Sequence, residues 1–258
     1  MRFSLRHAFG MAAVAGMLSL GAPVLAQSTQ FNEAQRQAIG DIVRDYLLKN
    51  PELLQEVIAE LEKRQADQQR VAQSAAMKES QKAILNAPHS YVVGNPNGDV
   101  TLVEFFDYNC GYCKRALSDL QALTKADPKL RIVLKDFPVL GPDSVEASRV
   151  ALAARNQLSG DKLFDYHTKL LESRGRVNGD RAIAVAKDMG LDIARLQKDM
   201  NGNDVKAALA ENADLGDKLG LTGTPAFIIG DSVIPGAVGL DPLKQVVASV
   251  RQCGKASC

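Results

Sequence analysis

Two thiols three positions apart, in the stretch Cys110-Gly111-Tyr112-Cys113, are the groups of this chain best placed to do chemistry. They follow almost directly on the apolar run Val100-Thr101-Leu102-Val103-Glu104-Phe105-Phe106. A strand that hands over to a helix opening with Cys-x-x-Cys sets the first thiol at the helix N-terminus, where free backbone N–H groups and the helix dipole favour a thiolate. Cys113, one turn further in, is within reach to close a disulfide and to resolve a mixed disulfide formed at Cys110. Half of a zinc site also reads Cys-x-x-Cys, but a structural zinc needs four ligands. No second pair follows at a suitable spacing: Cys253 and Cys258 stand at the extreme C-terminus, and His7, His89 and His167 cluster with nothing. The pattern points to a redox dithiol that needs neither metal nor cofactor.

The elements that must position the dithiol can be read around it. Ser90 to Val93 and Val100 to Phe106 read as strands on either side of the turn Asn95-Pro96-Asn97-Gly98. A helix after Cys113 runs through Leu117, Leu120 and Leu123, and Arg131 to Lys135 is the next strand. Strand, helix, strand implies a parallel pair with a crossover. A long helical tract follows, with Gly160, Gly175, Gly190, Gly202 and Gly220 read as C-terminal caps and Asp143 with Glu146 as a capping box. Ala226 to Ile229 and Ser232 to Ile234 then form a hairpin, and Asp241-Pro242 starts a last helix to about Arg251.

The N-terminal third has a different character. Arg2, Arg6 and His7, an apolar stretch from Ala8 to Leu20 and small residues up to Ala26 read as a secretory signal cleaved after Ala26. The alternative is an uncleaved anchor, but Gly10, Gly16, Gly21 and Pro23 interrupt a short stretch. Export would allow disulfides to persist. From Asn32 the spacing is helical: Ile39, Ile42, Val43, Tyr46 and Leu47 form one stripe, and Leu53, Leu54, Val57, Ile58 and Leu61 a second. Asn50 reads as the N-cap between them, with Pro51 at the first helical position. Beyond Leu61 the chain turns polar, and Glu62 to Lys82 reads as a spacer. The stripes belong either to an oligomerisation arm meeting copies of itself or to a helix folded back on its own domain.

Composition excludes more than it assigns. The chain has 31 basic and 30 acidic residues, and loss of Arg2 and Arg6 with the leader leaves 29 against 30, so no nucleic-acid partner or membrane surface is suggested. Hydrophobic residues make up 46%, enough for a full core that does not depend on disulfides.

The order strand, Cys-x-x-Cys helix, strand, helical insertion, hairpin and helix resembles the thioredoxin fold as DsbA-like periplasmic thiol:disulfide oxidoreductases carry it. The resemblance spans roughly His89 to Gln252, and Phe105 to Cys113 and Gly223-Thr224-Pro225-Ala226-Phe227 are its specific parts. With its N-terminal arm the chain is similar to the oligomeric members, including the suppressor-of-copper-sensitivity C proteins. The fold class expected is therefore α/β, a thioredoxin fold with a helical insertion at about 141–213. Residues 1–26 would be the signal peptide, 27–87 the oligomerisation arm and 88–258 the DsbA-like domain.

The resemblance implies dithiol exchange with exported proteins in the periplasm, a membrane redox partner and a homo-oligomer. It sets Pro225 in a cis-proline loop beside Cys110, with the backbone of Thr224 pairing with a substrate peptide. Gly111-Tyr112 departs from the Pro-His of strongly oxidising members and brings no cation next to Cys110. Tyr112 would shape the surface there. The family carries an acidic residue at the place of Glu104, and burial of Glu104 in an apolar strand would raise its pKa and let it move protons at the thiols; otherwise it is a strand charge escaping at an edge. Cys253 and Cys258 are expected to form a structural disulfide pinning the tail. The same two thiolates would also suit Cu(I), which leaves a copper-binding protein as the alternative function.

Overall fold

The computed structural model describes residues 31–258, so the leader expected over 1–26 lies outside the described residues. Helix α1 (Glu33–Lys49) opens on a capping box: Asn32 Oδ1 accepts from the Gln35 N–H and Gln35 Oε1 accepts from the Asn32 N–H, both at 2.9 Å. Asn50 ends α1 instead of opening the next helix, because its backbone N–H and Nδ2 both donate to the Tyr46 carbonyl. Helix α2 (Glu52–Glu79) starts after Pro51. On these two helices Ile39, Ile42, Val43, Tyr46, Leu54, Val57 and Ile58 are all exposed, and α1 buries no residue.

The chain divides into two compact units between Glu60 and Leu61, inside α2. The segment expected as a spacer is therefore part of the second unit. Met77 of α2 is buried in that unit's core, Gln73 Nε2 donates to the Leu219 carbonyl at 2.8 Å, and α3 (Gln81–Asn86) buries Ile84.

The second unit is built on a five-stranded sheet of β1 (Tyr91–Gly94), β2 (Val100–Phe106), β3 (Leu130–Asp136), β4 (Ala226–Ile229) and β5 (Ser232–Pro235), in the order β1-β3-β2-β4-β5. Strands β2 and β3 are parallel, joined through α4 (Gly111–Ala126), and the other pairs are antiparallel. A parallel pair must be covered on both faces, which is why β2 reads as a nearly continuous apolar run. Leu102 and Phe106 face one core with Leu117 and Leu120 of α4 and Val247 of α10 (Leu240–Cys253); Val103 and Phe105 face another with Ile84 and Leu215.

Five helices lie between β3 and β4: α5 (Pro142–Ala154), α6 (Gly160–Glu172), α7 (Gly179–Asp188), α8 (Ile193–Asp199) and α9 (Asn203–Lys218). Helix α9 runs past the end expected for the insertion because Leu215 packs into the core and Gly216 lies against the Phe137 ring, where a Cβ would clash. Three cap assignments fail, the first because the C-cap of α6 is Ser173, two residues before Gly175. Gly202 is the N-cap of α9, and Gly160 is the first residue of α6. The capping box at Asp143 and Glu146 is also absent: Gly141 precedes the helix with Pro142 at its start, Asp143 pairs with Arg176, and Glu146 Oε2 accepts from the Gly179 N–H. Glu146 thus ties α5 to α7 rather than closing its own helix. No described helix is long and apolar enough to cross a membrane.

Candidate active site

Strand β2 delivers the chain into a turn that Asp107 organises. Its buried carboxylate accepts from the Asn109 N–H at 2.8 Å and the Leu140 N–H at 3.0 Å, and its carbonyl accepts from the Cys110 N–H. Asn109 then spans to the helical insertion. Its Nδ2 donates to Ser144 Oγ at 3.0 Å and the Val177 carbonyl at 2.9 Å, while its Oδ1 accepts from the Val177 N–H at 2.8 Å. Neither residue was singled out from sequence. The partners of Asn109 lie 35 and 68 positions away, so only its place directly before Cys110 could have marked it. Asn109→Ala strips all three bonds and leaves Val177 short of partners, and is expected to cost about 2–4 kcal/mol by urea denaturation.

Cys110 is the N-cap of α4, in extended backbone. Both cysteines of the pair are free thiols in this structure, Cys110 6% exposed and Cys113 fully buried. A hydrogen bond from the Cys113 thiol, helped by Thr224 and the backbone N–H groups of Cys113 and Tyr112, brings the Cys110 pKa down to about 5 against the opposing effect of burial. Cys113 moves the other way. Burial first, then its bond to Cys110 and the charge of Glu104, hold it far above the ordinary thiol range. One cysteine is thus a thiolate at neutral pH and the other a protonated thiol.

The peptide bond Thr224–Pro225 is cis, and the Thr224 carbonyl lies 3.0 Å from Cys110 Sγ. Residues 114 positions apart therefore meet at one sulfur. Glu104 lies on β2, the middle strand of the five, opposite Leu134 on one side and Phe227 on the other, so the edge reading does not hold. It is 1% exposed and neither oxygen has a hydrogen-bond partner among the described residues. Burial, then the charge at Cys110, raises its pKa to about 8.

Tyr112 is 57% exposed beside Cys110, and the Arg115 guanidinium stands 4.3 Å above its ring centroid. The motif's own dipeptide brings no cation, but the next turn stacks one on Tyr112. Cys253 and Cys258 are joined by a disulfide outside this site, and the Ala256 N–H between them donates to Asp231 on the turn between β4 and β5. His167 is buried in an aromatic cluster of the core, its Nδ1 2.6 Å from the Tyr91 hydroxyl. No group of three or more His, Cys, Asp or Glu that could hold a metal occurs among the described residues.

A strand, a thiol at a helix N-terminus, a buried partner thiol and, just before a cis-proline, the Thr224 carbonyl within hydrogen-bond distance of the sulfur are the parts of one architecture. The family model of the DSBA-like thioredoxin domain matches residues 101–248. The chain belongs to this family. Among solved structures, it is 42% identical to a thioredoxin-like oxidoreductase from Silicibacter pomeroyi, covering 67% of this chain and 98% of that one with a TM-score of 0.64. It is 30% identical to Proteus mirabilis ScsC in a transitional conformation, covering 86% and 97% with a TM-score of 0.62. Disulfide bond formation protein D of Bacillus subtilis is 26% identical over 60% of this chain and 74% of that protein. A further relative is a Na+/H+ antiporter, NhaA, of Salinispora arenicola, of whose length the chain spans only 24%. The model of the copper resistance protein ScsC N-terminal domain matches residues 35–68. The DsbA-like fold and the thiol:disulfide oxidoreductase class follow from these matches and the site together.

Proposed function

We propose that this DsbA-like protein is a periplasmic thiol:disulfide interchange enzyme acting on exported proteins. The observation that carries the reading is the geometry of its two thiols, Cys110 at the N-cap of α4 with the Thr224 carbonyl 3.0 Å from its sulfur and Cys113 fully buried one turn further in, and the opposed pKa shifts of the pair agree with it. Cys110 attacks one sulfur of a client disulfide; the client's S–S bond breaks, a bond from Cys110 to the client forms, and the other client sulfur leaves as a thiolate that takes up a proton. Cys113 then gives up its proton and attacks Cys110, which forms the Cys110–Cys113 disulfide and releases the client's second thiol. Glu104, with a pKa of about 8, is suited both to take the Cys113 proton and to return it in the reverse direction. Run forwards the cycle reduces a client, run backwards it oxidises one, and release by an internal client thiol rearranges a wrong bond. A membrane redox partner would then reset the dithiol.

The exposed stripes of α1 and the first half of α2 are the second element of the proposal. Apolar side chains such as Ile42 at 68% and Val57 at 63% exposure recur at helical spacing on both helices, a density of exposed apolar surface that marks an interface, and the ScsC N-terminal match covers both helices in part. We assign this surface to contacts between copies of the chain, with the arm serving to gather several dithiols on one client. Ile42→Asp with Val57→Asp in the full chain is expected to give a monomer by light scattering at micromolar concentration. That monomer should still reduce insulin yet lose at least about fivefold in reactivating a protein with scrambled disulfides. A wild-type protein that is already monomeric would overturn the assembly reading.

Copper handling by the same thiolates draws support from the description of the matched ScsC N-terminal domain. Titration of the reduced protein with Cu(I), with and without Cys113→Ser, tests it: loss of tight binding in the variant would favour it.

A further inference from the structure

Beside the dithiol runs an open groove of about 510 Å³. Thr224, Pro235 and Ala237 line it from the sheet end of the unit, Tyr112 from the helix of the dithiol, and Gln69 and Gln73 from α2. Gln73 is fixed by its bond to the Leu219 carbonyl, and a Cβ built on Gly220 would stand 3.8 Å from Gln69 Nε2. Among the described residues none of those lining the groove is Asp, Glu, Lys, Arg or His, in a chain of which 24% is charged. Arg115 is stacked on the Tyr112 ring and is not part of the lining.

We propose that this groove seats an extended client segment whose side chains flanking the cysteine are uncharged, and that Gln69 and Gln73 are the residues that select it. The proposal rests on the dithiol reading above and adds the class of segment that reading leaves open. A client joined through sulfur to Cys110 must lie along Thr224, whose carbonyl is 3.0 Å from that sulfur and which lines the groove. An extended chain arrives with unpaired backbone N–H and C=O groups, and carboxamides can donate to one and accept from the other. A charged flanking residue would lose water on entering a groove that offers no counter-ion, whereas a neutral one loses little. The selecting amides stand on α2, the helix in which the division between the two units falls.

The test uses the full-length reduced protein and three peptides of otherwise identical sequence, each carrying one cysteine in mixed disulfide with a chromophoric thiol. The cysteine is flanked by serine and alanine, by glutamate, or by lysine, and each rate is divided by that peptide's rate with dithiothreitol to remove intrinsic reactivity. The neutral peptide should react fastest and both charged peptides more slowly. Gln69→Glu should raise the lysine-to-glutamate rate ratio about tenfold, the size expected of a unit charge at roughly 6 Å acting with opposite sign on the two peptides. Gln73→Glu should move the ratio the same way. A charged peptide as fast as the neutral one, or a ratio that neither variant moves, overturns the proposal. Hydroxyethyl disulfide, small and uncharged, separates the two levels: if the wild-type protein fails to exchange with it, the dithiol reading falls, and the groove proposal with it.

Discussion

Cys110→Ser is expected to lower disulfide exchange about a thousandfold or more, while Cys113→Ser is expected to accumulate covalent adducts with clients. The two residues are three positions apart, yet their environments are opposite. Cys110 sits at the end of a helix with N–H groups and the Cys113 thiol turned toward it, and its pKa of about 5 leaves it almost wholly a thiolate at pH 7. Serine there has neither the charge nor the soft sulfur needed to attack a disulfide. Cys113 is fully buried and held protonated, so it cannot meet a client first; it acts only when the mixed disulfide has already formed above it. Its replacement leaves the first step intact and removes the escape. Non-reducing gels of exported proteins from cells carrying each variant read the difference. Equal loss in both, with no adducts in Cys113→Ser, would reverse the assignment of attacking and resolving thiols.

What could be read from the chain and what could not divide along physical lines. The apolar run of β2 and the Cys-x-x-Cys that follows are local signals, because a strand covered on both faces must be apolar throughout and a helix N-terminus needs only its own N–H groups. Strand β1 was visible as an apolar segment, but nothing in Tyr91 to Gly94 says that it pairs antiparallel with β3 and so closes one edge of the sheet. Asp143 and Glu146 have the spacing of a capping box, and long-range contacts override it: Arg176 takes one carboxylate and the Gly179 N–H the other. The same holds for Glu62 to Lys82. Its polar surface reads as a spacer, while Met77 and Gln73, which tie it to the sheet-bearing unit, find their partners only in the folded chain. Asn109 shows the limit most clearly, since a residue adjacent to the attacking thiol makes all its side-chain bonds with an insertion that begins more than thirty residues later.

Glu104→Gln is expected to change both the pH dependence of stability and the speed of the resolving step. In the fold the carboxyl has a pKa of about 8, raised from 4.5 by burial and by the charge at Cys110. The folded protein therefore holds the Glu104 proton more tightly than the unfolded chain. Its contribution to stability is full below about pH 4.5 and is lost as the pH rises through about 8. Glutamine has no such proton, so the stability of the variant relative to wild type should climb across that window by about 3–4 kcal/mol. The comparison belongs in the oxidised protein, where neither thiol titrates and burial alone, the larger cause, sustains the shift. Asp136 and Lys135 are also buried and titrate nearby, at about 7 and about 8, but they are present in both proteins and cancel in the difference. Urea denaturation from pH 4.5 to 9 gives the curve directly. In the reduced protein the same variant leaves Cys113 without a group to take its proton, and release of a mixed disulfide formed at Cys110 should slow about a hundredfold, with attack by Cys110 little changed. Stability curves that run parallel, together with an unchanged release rate, would return Glu104 to the role of a buried charge with no part in the chemistry.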